Sequence, residues 1–177
     1  MDRRRTLGGL VAVVAGGAGL VTPTPGRATT DVRSLSVLNL HTGERLSAVY
    51  WEAGVYVADV LAALNTVLRD HRTGEVHAID PALLDLAYAL AGRLEARETI
   101  QIISGYRSPK TNTALHEASS GVAARSLHMD GMALDIRIPR VDLTRLRDAA
   151  LTLQAGGVGF YPKSNFVHVD VGRVRRW

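Results

Sequence analysis

Two of the six histidines keep unusual company. The segment Ser126-Leu127-His128-Met129-Asp130-Gly131-Met132-Ala133-Leu134-Asp135 places one in a loop and an aspartate on the apolar run that follows. Gly131 permits the tight turn between them. Asp135 stands within Met132-Ala133-Leu134-Asp135-Ile136, where a carboxylate is costly unless something positive holds it. Farther on, Phe166-Val167-His168-Val169-Asp170-Val171 alternates apolar and polar, so a strand there carries His168 and Asp170 on one face. His128, Asp135 and His168 together offer two imidazoles and one carboxylate. Three protein ligands with a fourth position left for water is the plan of a catalytic zinc site. Spacing alone leaves a second account open, in which Asp135 pairs with an arginine and the histidines are ordinary polar residues. His41, His71, His77 and His116 stand near turns or helix ends and read as solvated.

The elements that must position these residues follow from periodicity. Residues 34–40 alternate apolar and polar, 41–44 form a turn, and 45–51 return as a second strand, which makes a hairpin. Val57, Val60, Leu61, Leu64, Val67 and Leu68 mark the face of a helix at 57–69. Asp80-Pro81 supplies a cap and a proline at the first helical position, ahead of a second amphipathic helix. Strands are predicted at 99–104, 132–138 and 166–171, and helices at 110–118 and 142–154. The glycines at 156–159 read as a tight turn in which Gly156 ends the preceding helix. They follow a helix and precede a strand, the reverse of a dinucleotide-binding glycine loop. Strands at both ends with helices between predict an α+β fold, a small and mostly antiparallel sheet flanked by helices.

Composition narrows the chemistry. The chain has 177 residues and no cysteine, which excludes disulfides, thiolate metal sites and a cysteine nucleophile. Arg3, Arg4, Arg5 and Arg27 against Asp2 make residues 1–28 net +3, whereas the other 149 residues carry 17 basic and 16 acidic side chains. So balanced a body is not that of a nucleic-acid binder. The first 28 residues have the order of a secretory signal peptide: a basic head, the 15-residue apolar run Leu7–Val21, and the small-x-small triplet Gly26-Arg27-Ala28. A membrane span needs about 20 apolar residues, so no stable span is expected after cleavage. Arg3-Arg4-Arg5-Thr6-Leu7 resembles a twin-arginine export signal. The expectation is an exported protein of the periplasm or cell envelope, with one domain over 29–177.

Ser104-Gly105-Tyr106-Arg107-Ser108, then Ser126-x-His128-x-x-Gly131-x-Ala133-x-Asp135, then His168, resemble the zinc peptidases that cut bacterial cell-wall peptides. This is the superfamily of D-alanyl-D-alanine dipeptidases and carboxypeptidases, with the Hedgehog-like fold. Gly156–Pro162, the Phe166–Gly172 strand and Arg175-Arg176-Trp177 are most similar to its murein endopeptidase K branch. The likeness is close over roughly 100–177 and looser over 30–99. It implies that His128, Asp135 and His168 bind Zn2+, and that Arg107 lies beside the metal to hold a substrate carboxylate or stabilise the oxyanion. In such a site the metal lowers the pKa of bound water toward ~7 and polarises the scissile carbonyl. Many relatives place a glutamate base three residues before the last histidine ligand. Here that residue is Asn165, which cannot take a proton. Asp170, on the face of His168, is then either the general base or a carboxylate that orients the His168 ring.

The function that follows is hydrolysis of peptide cross-links or stem peptides of peptidoglycan by an exported zinc metallopeptidase. A carboxypeptidase of the same fold and a non-catalytic, zinc-containing wall-binding module are the alternatives, and Asn165 is the best support for the latter. A serine D,D-peptidase is disfavoured. It needs Ser-x-x-Lys, and neither lysine, Lys110 or Lys163, follows a serine by three.

Overall fold

The computed structural model describes residues 31–118 and 123–177; the expected leader, 1–28, lies outside the described residues. Strands β1 (Arg33–Asn39) and β2 (Arg45–Glu52) form the predicted hairpin, and β3 (Val55–Tyr56) folds back on β2. Helix α1 (Ala58–Val67) and helix α2 (Pro81–Arg93) follow. Asp80 caps α2 by accepting from the Ala82 amide at 2.9 Å, as the Asp-Pro pair predicts. Then come β4 (Ile100–Ser104), α3 (Pro109–Ala118), β5 (Ala133–Arg137) and α4 (Leu143–Leu153). The chain closes through β6 (Gly157–Tyr161), β7 (Phe166–Asp170) and β8 (Arg175–Arg176). No helix among the described residues is long and apolar enough to cross a membrane.

One sheet holds the strands in the order β3-β2-β1-β4-β5-β7-β6-β8. The fold is α+β as expected, but the sheet is mixed and not the mostly antiparallel one read from the sequence. β1 runs parallel to β4, and β6 runs parallel to β8. The cause of the first is the helical excursion through α1 and α2, long enough to bring the chain back in its original direction. In the second, β7 is the return stroke, so β8 meets β6 with the same sense. The glycine segment also differs from its expectation. Gln154, at φ 50°, ends α4, and Gly157 opens strand β6.

Alternation along the central strands sorts side chains to two faces. Ile100 and Ile102 of β4, Leu134 and Ile136 of β5, and Val167 and Val169 of β7 enter the core with Leu83, Leu84, Leu90, Leu146 and Ala150 of α2 and α4. Each of the valine, leucine and isoleucine side chains contributes about 1.5–3 kcal/mol through burial. The intervening residues, Asp135, His168 and Asp170, point to the other face. There Asp135 meets Arg107 and His128, and Asp170 meets Gly157, Gly172 and Arg175.

Candidate metal centre

The site is assembled across strand pairs and finished by one turn. Asp135 is paired in register with Ser104 on one side and with His168 on the other. The 3-10 turn Leu127–Asp130 then brings in His128, and Gly131 releases the chain into β5 with φ 67°. A β-carbon at Gly131 would run into the Ala78 carbonyl, so this turn accepts no larger residue. The Arg107 amide donates to the His128 carbonyl at 3.1 Å, which ties the two loops together.

The hydrogen-bond partners fix which ring nitrogens face inward. His128 Nδ1 lies 2.7 Å from the Gly105 carbonyl, which can only accept, so Nδ1 donates and Nε2 is turned to the cluster. His168 Nε2 lies 3.1 Å from Asp170 Oδ2, so it donates there and Nδ1 is turned to the cluster. The two inward nitrogens are 3.2 Å apart. Asp135 Oδ1 stands 2.9 Å from His168 Nδ1 and 3.3 Å from His128 Nε2. These three residues are all buried, and one ligand atom of each lies within 4.8 Å of the others. Three acceptors converging in a buried space call for a cation between them. The donor set, two imidazoles with outer nitrogens anchored and one carboxylate, suits zinc.

Electrostatics points the same way. Burial works to raise the Asp135 carboxyl, but the His128 and His168 imidazoles hold it below the usual carboxylate range. Burial works to lower the His168 imidazole, but Asp135 and Asp170 outweigh it and raise it above its ordinary value. These carboxylates favour positive charge at this point, whether a proton or a metal ion carries it.

Arg107 borders the cluster, with one terminal nitrogen 3.4 Å from Asp135 Oδ2 and 3.3 Å from Ser104 Oγ. Its Nε is buried with no partner. A cavity opens over the cluster, lined by Arg107, Arg125, Ser126, His128, Asp135, Tyr161, Phe166, His168, Arg175 and Trp177. Tyr161 stacks on Phe166 at 4.6 Å, and the Trp177 indole donates to the Tyr161 hydroxyl at 2.7 Å. Tyr161 lines the cavity, whereas Tyr106 stacks on His77 away from it. Roles for Arg175 and Trp177 are not legible in the sequence, because no local pattern says that β8 reaches this cavity.

Asp170 lies behind His168, away from the three converging atoms. It is fully buried. Its carboxylate is engaged by the Gly157 and Gly172 amides, each at 2.9 Å, and by Arg175. Asn165 closes the 3-10 turn Pro162–Ser164 with φ 56°, a left-handed conformation that asparagine adopts more readily than glutamate. Among the described residues, Asp135 is the one carboxylate lining the cavity. Of the remaining histidines, His41 stacks on His71 at 3.8 Å and His77 on Tyr106, all outside the cluster.

The peptidoglycan L,D-endopeptidase MepK family model matches residues 27–177. The peptidoglycan L,D-endopeptidase MepK of Escherichia coli K12 is 45% identical over 177 residues, covering 98% of this chain and 96% of the relative. The protein of the same name from Shigella flexneri gives the same figures. The probable peptidoglycan L,D-endopeptidase MepK of Haemophilus influenzae is 43% identical over 150 residues, covering 84% of this chain and 81% of the relative. No solved structure matches the chain.

Proposed function

The chain belongs to the peptidoglycan L,D-endopeptidase MepK family, and from that premise we propose that it hydrolyses L,D peptide bonds in peptidoglycan as an exported zinc metallopeptidase. The observation that carries this reading is the meeting of His128 Nε2, His168 Nδ1 and an Asp135 oxygen in a buried space open to a cavity. These residues are the zinc ligands in this proposal. Zinc held there supplies Lewis acidity that polarises a carbonyl and makes water a nucleophile near neutral pH.

The chain's own groups have distinct tasks. Arg107, with its unpartnered Nε, holds a substrate carboxylate or the oxygen that gains charge as the amide is attacked. A planar, two-pronged cation suits either. Asp170 orients the His168 ring, and its position behind that ring supports this task over that of a general base. Tyr161, Phe166 and Trp177 form an apolar wall against which the aliphatic part of a stem peptide packs. The Hedgehog/DD-peptidase-like fold, the single domain over 29–177 and the twin-arginine leader over 1–28 belong to the same proposal. The relatives' names favour cross-link cleavage over terminal trimming.

Zinc content of the purified 29–177 chain, measured beside fragment release from intact sacculi, tests the proposal. One zinc per chain with uncross-linked fragments is the expected result. No zinc after reconstitution overturns the metal assignment, and zinc without release overturns the endopeptidase assignment.

A further inference from the structure

The surroundings of Asp170 lead beyond the cavity to the last strand. Arg175, on β8, grips the carboxylate with both terminal nitrogens, at 3.0 Å to Oδ1 and 2.7 Å to Oδ2. The Gly157 and Gly172 amides donate to Oδ1, and His168 Nε2–H donates to Oδ2. Both oxygens are thereby committed, and the plane of the carboxylate is fixed. A ring that donates to a fixed acceptor has its own rotation fixed, so the direction of His168 Nδ1 is set from beyond Asp170, at Arg175. The strand is held in turn: the Trp177 amide donates to the Val158 carbonyl at 3.2 Å, and the Phe160 amide to the Trp177 carbonyl at 3.1 Å. Strand β6 has made room for it. A β-carbon at Gly157 would strike the Arg175 guanidinium and Asp170, and one at Gly159 would strike the Trp177 indole.

We propose that Arg175 is a positioning residue of the metal centre, acting through Asp170 on His168, and that β8 is the brace that holds it there. The inference rests on the zinc reading given above. An outer partner of a ligating histidine typically contributes 10–100-fold in metal affinity. Arginine suits the position because its fork meets both carboxylate oxygens at once, which an ammonium cannot do.

Zinc affinity of the full chain, measured by chelator competition on protein whose fold is verified by circular dichroism, tests this. Arg175→Gln is expected to weaken zinc binding by up to about 10-fold, less than the roughly 10–100-fold expected of Asp170→Asn, the direct outer partner of His168. Arg175→Lys, which keeps the charge and loses the fork, should fall between Gln and wild type. If Arg175 acts through Asp170, Arg175→Gln combined with Asp170→Asn binds zinc no more weakly than Asp170→Asn alone. A merely structural arginine would give additive losses. Arg176→Ala, on the same strand, should leave affinity unchanged. Wild-type affinity in a folded Arg175→Gln protein, or additive losses, overturns the inference. If Arg175→Gln does not fold, Arg175→Lys takes its place in the same cycle, where wild-type affinity or additive losses again overturn the inference. A wild-type chain that binds no zinc removes the parent reading and this inference together, whereas a zinc-loaded wild type matched by its Arg175 variants removes this inference alone.

Discussion

Asp85 on α2 and Asp135 on β5 are both carboxylates set against rings, and they are completed in opposite ways. Asp85 accepts from the hydroxyls of Tyr50 and Tyr56, at 2.8 and 2.7 Å, and pairs with Arg33 at 2.9 Å. Burial works to raise its carboxyl, but those three donors hold it below the ordinary aspartate value. The protein itself supplies everything this carboxylate needs. Asp135 is more deeply buried, its side chain 8% exposed against 30% for Asp85, and it faces two imidazole nitrogens whose outer partners turn them inward. Arg107, at 3.4 Å, is a distant partner. A cluster closed by its own donors holds a fold together, while a deeper one that gathers acceptors is built to receive something from outside.

The strongest way to break this contrast is to remove a ligand. His128→Ala or His168→Ala should take zinc content from one per chain to near zero. The affinity loss should exceed the roughly 10–100-fold that an outer partner costs. Metal analysis and fragment release on the same samples check this, and normal turnover in either variant sinks the assignment.

Removing the metal instead of a ligand should cost stability as well as activity. At a zinc concentration 100 times Kd, binding stabilises the native state by about 2.7 kcal/mol. For a domain of this size that is roughly 5–10 °C in Tm. Calorimetry with and without chelator reads it, and identical traces would argue that no cation belongs in the cluster.

Asp85→Ala probes the closed cluster. Leaving the buried Tyr50 hydroxyl without its acceptor should cost about 2 kcal/mol in denaturant unfolding, with zinc affinity unchanged. A shift in zinc affinity would show that the two regions are coupled. The same site sets a pH expectation. Because the folded Asp85 carboxyl lies below its ordinary value, near 3.9, its contribution is present above that value. It is lost as pH falls through the folded one. Asp70, held down by hydrogen bonds from Thr111, Ser108 and Arg72 against the effect of burial, adds to the same acid-side loss. Below about pH 4 the stability read from unfolding curves should therefore fall less steeply with pH in Asp85→Ala than in wild type. Tyr56→Phe, which removes one of the donors and nothing else, is the smallest change, about 1 kcal/mol. An effect as large as that of Asp85→Ala would mean that Tyr56, and not the carboxylate, organises the cluster.

Two members of the proposed ligand triad were legible because they break a local rule. Asp135 interrupts an apolar strand, and His168 alternates with valines, so each announces a face. The hairpin, α2 with its Asp-Pro start, and the strands on either side of the site were legible because they follow one, in alternation, amphipathic spacing and capping. Strand β6 was not, since Gly157 and Gly159 read as turn residues. Their real cause is the close approach of Arg175 and Trp177, which lie well beyond them along the chain and leave no local mark. The task of Asp170 was equally hidden. Alternation puts it beside His168, where it is, but the guanidinium and the two amides behind it, which support the orienting task proposed for it, have no local mark in the sequence. Parallel pairing of β1 with β4 escaped as well, because direction in a sheet depends on the path between strands.

Ser104, Asp135, His168 and Gly159 lie side by side, a single transverse row over β4, β5, β7 and β6. Asp135 and His168, the two proposed ligands in that row, are each flanked along the strand by residues of the hydrophobic core: Leu134 and Ile136, Val167 and Val169. A slip of one residue in either strand would turn the ligand inward and the aliphatic side chains out. Oil and water thus act as the alignment pins of the catalytic apparatus. The register of β5 against β7 alone therefore sets two of the three proposed ligands side by side. Only the histidine of the 3-10 turn has to be brought in from elsewhere.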